Sequence, residues 1–137
     1  MPTGYSGTPT VQKLGIKPGL RLTVLNAPRD YRHIVEGLPQ DVELRTRLRG
    51  KSDLVHLFVT REAELTRHVR ALRSAIEPNG AIWVSWPKRA SKVSTDLTED
   101  VIRRVAVAHQ LVDVKVCAVD DTWSGLKLVV RVADRRS

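Results

Sequence analysis

The segment WPKRASK places Lys88, Arg89 and Lys92 directly after the indole of Trp86. Ammonium and guanidinium groups hold phosphates or carboxylates through charge-assisted hydrogen bonds, and an indole face can stack on a base or another flat ligand. A second group, DDTWSG, brings the carboxylates of Asp120 and Asp121 next to Trp123 and Ser124. Adjacent carboxylates in a turn either move protons or accept turn hydrogen bonds. Asn26 and Thr60 each follow an apolar run and supply further polar groups. These residues are the ligand-binding candidates. No catalytic residue and no metal ligand is assigned: Cys117 falls in the middle of an apparent strand, where nothing stabilises a thiolate, and His33, His68 and His109 lack metal-ligand spacing. His56 alternates with Leu54 and Phe58 and reads as a buried, hydrogen-bonded histidine.

Residues so far apart in sequence can meet only if the fold gathers them. Leu20 to Asn26 alternates as a strand, Tyr31 to Glu36 forms a short helix stopped by Gly37, and Val42 to Leu44 offers another strand. Leu54 to Val59 is almost wholly apolar, as a central strand covered on both faces must be. Thr60 is then expected to cap a helix carrying Leu65, Val69, Leu72 and Ile76 on one stripe, with Pro78-Asn79-Gly80 ending it. Ala81 to Trp86 is the next strand, with Trp83 directed to the core on the face opposite Trp86. After a loop from Pro87 to Thr95, Asp96 and Glu99 form a capping box for a helix whose apolar face is Leu97, Val101, Val105 and Ala108. Leu111 to Val119, with Val112, Val114, Val116 and Ala118 on one side, and a last strand through Leu126, Leu128, Val130 and Val132 close the chain as a hairpin. Near the start, Thr8 and Pro9 open a short helix that Gly15 ends, and Pro18-Gly19 makes a turn.

This order predicts an α/β fold: an open, mostly parallel Rossmann-like sheet with helices on both faces and a C-terminal antiparallel hairpin. Parallel strands joined by crossovers expose all their carboxyl-end loops along one rim, which is where Asn26, Thr60, Trp86 and the DDTWSG turn belong. Residues 1 to 8 read as a flexible arm and 9 to 137 as one domain. At 137 residues one core buries roughly two thirds of the unfolded surface.

The charge of +8, from 23 Lys and Arg against 15 Asp and Glu, favours polyanions and makes their binding salt-sensitive. A single cysteine excludes an internal disulfide, and with no apolar run of membrane-spanning length or leader pattern the chain is expected in the cytoplasm and off the membrane.

The stretch ALRSAIEPNGAIWVSWPK resembles the helix, turn and strand in the second half of class I methyltransferases, and LVDVKVCAVDDTWSGLKLVVR is similar to their terminal strand pair with its reversed last strand. The resemblance covers roughly residues 53 to 132 and implies a truncated methyltransferase architecture. KLGI, AIWVSWPK and WSGLKLVV together resemble a family of small bacterial proteins known as a domain of unknown function, which implies a fold and no activity.

The class I pattern follows its first strand with an acidic residue and spaced glycines, because the backbone must come close to the cofactor. VLNAPRDY has no glycine, and Pro28 lacks an N–H; the next strand carries Glu43 followed by Leu44 and Arg45 instead of ending on an acid. S-adenosylmethionine, NAD and FAD are therefore not expected, and a P-loop motif is absent. The leading expectation is a non-catalytic binding module that takes a small anionic ligand, a nucleic acid or a protein partner at the carboxyl edge of the sheet. The alternatives are a divergent S-adenosylmethionine-dependent methyltransferase and a structural or regulatory homodimer joined through its final strand.

Overall fold

A computed structural model describes residues 8–135. The expected arm lies outside the described residues except for Thr8, which is exposed. The elements run α1 (Thr10–Leu14), β1 (Arg21–Leu25), α2 (Tyr31–Ile34), β2 (Glu43–Arg45), β3 (Ser52–Phe58), α3 (Glu62–Leu72), β4 (Ile76–Pro87), α4 (Glu99–Ala108), β5 (Leu111–Ala118) and β6 (Trp123–Val130). They form one six-stranded sheet of order β2-β1-β3-β4-β6-β5. Strands β1 to β4 run parallel to one another, while β6 runs antiparallel to both β4 and β5. This is the expected mixed α/β architecture.

Two apolar layers sandwich the sheet. On one face, Leu65, Val69 and Leu72 of α3 and Ile102, Val105 and Ala106 of α4 meet Val55, Leu57, Ile82, Val84 and Leu126. On the other, Val11 and Leu14 of α1 and Tyr31 and Ile34 of α2 cover Leu22, Val24, Leu54, Phe58 and Trp83. Alternate residues of β4 divide between the two layers, so Trp83 enters the second and Trp86 the first.

Several local expectations are overturned. Pro78-Asn79-Gly80 does not end α3; it lies inside β4, and Ile76 is the first residue of that strand. The register with β3 jumps from Ser52↔Ile76 to Leu54↔Ala81, a bulge that absorbs the turn-forming residues within the strand. Gly80 is required there, since a Cβ would stand 2.8 Å from the carbonyl oxygen of Asp53. The bulge is braced by Arg21, whose Nη2 reaches Glu77 at 2.7 Å and Asp53 at 3.1 Å.

Thr60 does not cap α3: Arg61 occupies that position, and the N–H of Glu62 donates to Asp96 Oδ1 at 2.8 Å from the loop before α4. Asp96 is thus drawn away from the capping box it was expected to form, and Thr98 caps α4 by accepting from the N–H of Val101 at 3.2 Å. A carboxylate stabilises whichever helix N-terminus the tertiary fold brings to it, and here that is the neighbouring one. Pro9, and not Thr8, precedes α1 as its cap residue. Ala108 is exposed, and Ile102 and Ala106 join Val105 on the buried face of α4.

Alternation in β5 is broken between Asp113 and Lys115, which leaves Val114 and Val116 at 55% and 52% exposure instead of on a buried side. Val132 lies beyond β6 in a short 3₁₀ turn. Because β6 is inserted between β4 and β5, the free edges are β2 and β5. The final strand therefore has no open side through which a second chain could extend the sheet.

Candidate functional site

Strand order reverses around β1: the chain goes to β2 on one side and then crosses to β3 on the other. In open α/β sheets the crevice outside the carboxyl ends at such a switch point is where ligands settle. Here that crevice is bridged. Asn26 leaves β1 with a left-handed φ of 59°, a conformation asparagine tolerates, and its Nδ2 donates to the Phe58 carbonyl at 3.2 Å, joining the ends of β1 and β3. Tyr31 drops from the start of α2 against His56 and Phe58, at ring-centroid separations of 5.4 and 5.6 Å. Phe58 stacks on His56 at 4.3 Å, and Trp123 closes the group edge-on to Phe58 at 5.0 Å.

Beneath these rings runs a buried polar chain. The Tyr31 hydroxyl and His56 Nδ1 are 2.9 Å apart, and His56 Nε2 lies 2.7 Å from Ser85 Oγ. His56 and Ser85 are both fully buried. Loss of solvation lowers the His56 pKa to about 3 and raises that of Tyr31 far above the usual phenol range. The imidazole is therefore neutral, satisfied on both nitrogens, and out of reach of any solute. This is the role its place between Leu54 and Phe58 implied.

The carboxyl rim does collect the distant loops. Thr60 accepts at its carbonyl from Thr95 Oγ1 at 2.7 Å, the Lys88 N–H donates to the Thr122 carbonyl at 2.8 Å, and Trp86 faces Ser124 across the β4–β6 pair. The side chains then part. Trp86, 8% exposed, belongs to the α3–α4 layer, whereas Trp123 packs against the layer under α1 and α2. Asp120 is occupied as a turn acceptor, its Oδ1 receiving the N–H groups of Thr122 and Trp123 at 2.9 and 2.7 Å. Asp121 is exposed and Ser124 half-buried. Asn26, Thr60 and Trp123 thus border the filled switch point, while Trp86, Arg89 and Lys92 line a separate cleft of about 510 Å³ with Ser94, Thr95 and Thr98.

Arg61, which the strand order also puts on this rim but which was not among the binding candidates, enters the region from the start of α3 and donates through Nη2 to Ser94 Oγ at 2.9 Å. Only the α3–loop contact places it there; its position after Thr60 on the same rim was the available signal. Lys92 has a positive φ of 63°, which costs a Cβ-bearing residue roughly 1 kcal/mol and is held by a hydrogen bond from its N–H to the Arg89 carbonyl.

Burial pushes the Cys117 thiol upward despite the nearby ammonium groups of Lys13, Lys115 and Lys88, so it has no activated thiolate. Among the described residues no group of three or more His, Cys, Asp or Glu side chains is placed to hold a metal ion. Among the same residues no helix is long and apolar enough to cross a membrane.

Strand order, the reversed penultimate position of β6 and helices on both faces define a methyltransferase-like Rossmann fold. Solved structures sharing it include a SAM dependent methyltransferase from Aquifex aeolicus, at 11% identity over 88% of this chain and 87% of that one with a TM-score of 0.61. A ribosomal protein L11 methylase from Lactobacillus delbrueckii subsp. bulgaricus matches at 12% identity over 88% and 74% of the two chains, TM-score 0.55. A magnesium protoporphyrin IX methyltransferase from Synechocystis with bound SAM matches at 11% identity over 88% and 74%, TM-score 0.54. No family model and no curated protein matches the chain. At such identities the likeness establishes the fold.

Proposed function

We propose that this chain is a non-catalytic binding module on a methyltransferase-like scaffold, and that it recognises an anionic ligand in the cleft beside Trp86. The observation that carries this reading is the state of the charges around the cleft. Arg89 and Lys92 form no ion pair among the described residues, although Glu99 lines the cleft with them and Asp96 and Glu62 lie on adjoining segments. Each of those is engaged elsewhere: Asp96 with the N-terminus of α3, Glu99 with Arg103, and Glu62 with Arg104. Unneutralised cations around a concave surface concentrate anions. The hydroxyls of Ser94 and Thr98 and the N-terminus of the ten-residue α4 add donors on the same wall.

The cofactor that this fold implies is S-adenosylmethionine. Its expected place is the switch point, and there Asn26 ties β1 to β3 while Tyr31, Phe58 and Trp123 fill the space. The loop Asn26 to Asp30 has no glycine, and β2 ends on Arg45, with Glu43 at its other end and paired to that arginine. These residues do not fit the conventional binding of S-adenosylmethionine, and no methyl-transfer step is derived.

Calorimetry with a nucleoside triphosphate, a short single-stranded oligonucleotide, S-adenosylmethionine and its demethylated product tests the reading. A phosphate-bearing ligand is expected to bind, more weakly as salt rises, and the double variant Arg89→Ala, Lys92→Ala is expected to lose about 100-fold in affinity if each cation gives one charge-assisted hydrogen bond. Both side chains are exposed, so stability should stay within about 0.5 kcal/mol. Saturable binding of the sulfonium cofactor, or unchanged phosphate affinity in the double variant, would reject the proposal; the first result would favour a divergent methyltransferase.

A further inference from the structure

A second cleft opens at the opposite rim, where the parallel strands begin. It has a volume of about 660 Å³ and lies between α1, the Pro18–Gly19 turn, β6 and the bulged part of β5. Its apolar surface comes from the half-buried Leu20 and Val129 and the exposed Val114, over a floor of the buried Leu54 and Ala81. Three cations line it: Lys17, Lys127 and Arg135. Among the described residues none of the three forms an ion pair, and the one carboxylate in the lining, Asp53, is held by Arg21 through Nε and Nη2, both at 3.1 Å.

Lys127 is unusual in its position. It is half-buried on an internal strand, and its direct partner across the β5–β6 ladder is Lys115. Like charges on facing residues of an antiparallel pair repel each other. Arg135 is also held at this wall by its Nε donation to the Val130 carbonyl at 3.1 Å, and among the described residues neither it nor Lys127 has a carboxylate within ion-pair distance. A bound anion would supply a counter-charge, and the apolar surface beside the cations would accept a hydrocarbon body but gains nothing from a bare inorganic ion.

We propose that this cleft binds an amphipathic organic anion, its carboxylate or phosphate head held by Lys17, Lys127 and Arg135 and its apolar body laid over Leu54, Ala81 and Val129. This assignment is independent of the cleft beside Trp86.

Titration calorimetry on the full chain, with octyl phosphate and octanoate below their micelle-forming concentrations, provides the test. Inorganic phosphate and octanol serve as controls for the head and the body alone. Octyl phosphate and octanoate should bind saturably and much more tightly than either control. Lys127→Met, which keeps length and removes charge, should weaken that binding about tenfold or more. The unliganded Lys127→Met protein should melt no lower than the parent, because the repulsion from Lys115 is gone. Repeating the titration in the Arg89→Ala, Lys92→Ala background confines the readout to this cleft, because those two cations line the other one. Equal binding of octanol and octyl phosphate, or full affinity in Lys127→Met, would overturn the proposal. So would capture of the chain by phosphatidylglycerol vesicles while soluble octyl phosphate stays inert, since that result points to a lipid surface instead of a small ligand.

Discussion

Replacing Trp83 with alanine is expected to lower the unfolding free energy by ~3–5 kcal/mol, the usual cost of deleting a large buried aromatic side chain. Trp83 is fully buried in the middle of β4, and its Nε1 donates to the Leu14 carbonyl at 2.9 Å. That bond fastens α1 to the sheet across a separation of 69 residues. Gly125 on the adjacent strand brings its Cα side so close that a Cβ there would stand 3.2 Å from the indole, so the site has little slack into which neighbours could relax. The variant would lose both the packing and the partner of a carbonyl at a helix end, out of a total that for a domain is only about 5–15 kcal/mol. Urea unfolding of parent and variant, compared at equal slope, measures the difference. A loss below about 1 kcal/mol would mean that the layer under α1 is not packed as described.

Acidification from pH 6.5 to 4.5 is expected to destabilise the protein by about 2–3 kcal/mol, at about 1.4 kcal/mol for each unit over which His56 resists protonation. The sign follows from the direction of the shift. His56 titrates near 6.5 when unfolded and at about 3 when buried, so below pH 6.5 the unfolded chain takes up a proton that the folded chain refuses. Its penalty is absent above pH 6.5, grows as pH falls, and levels off near pH 3. Asp53, whose carboxyl is held below its ordinary value chiefly by the hydrogen bond from Arg21, adds its own loss only at lower pH, as it becomes protonated. Stability measured by urea at pH 7, 6, 5 and 4.5 in the parent and in His56→Gln separates the two. The variant retains polar atoms for Tyr31 and Ser85 and has no ring to protonate, so its curve should be nearly flat over this range. An equal slope in both proteins would remove His56 as the cause.

Both expectations concern side chains whose burial could be read from pattern. Trp83 sits three residues from Trp86 on a strand and so must face the other way, and His56 lies between Leu54 and Phe58 on an apolar face. Period-two alternation and the central apolar run also disclosed the sheet. Where local propensity and tertiary packing disagreed, packing prevailed. Pro78-Asn79-Gly80 has the chemistry of a helix stop, yet a bulge in β4 accommodates it because Arg21 clamps Asp53 and Glu77 on either side. Asp96 and Glu99 spell a capping box, yet Asp96 accepts from the N–H of Glu62 on α3 and Thr98 caps α4.

The candidate site shows the same division. Topology alone assigned Asn26, Thr60, Trp86 and Trp123 to one rim, since crossovers return parallel strands in one direction. It could not assign them to one cavity. A strand of known register still sends neighbouring side chains to opposite faces, and the crevice that the strand order creates can be filled from loops whose path no local pattern dictates. What the amino-acid sequence determined by itself was the element order, the faces taken by His56, Trp83 and Trp86 on the central strands and the lack of a glycine cradle after β1, because these depend on residue type and short-range period. Which carboxylates neutralise which cations, that Tyr31 and Phe58 close the switch point, and that Lys127 faces Lys115 were decided only in three dimensions, because each depends on contacts between segments brought together by the finished sheet.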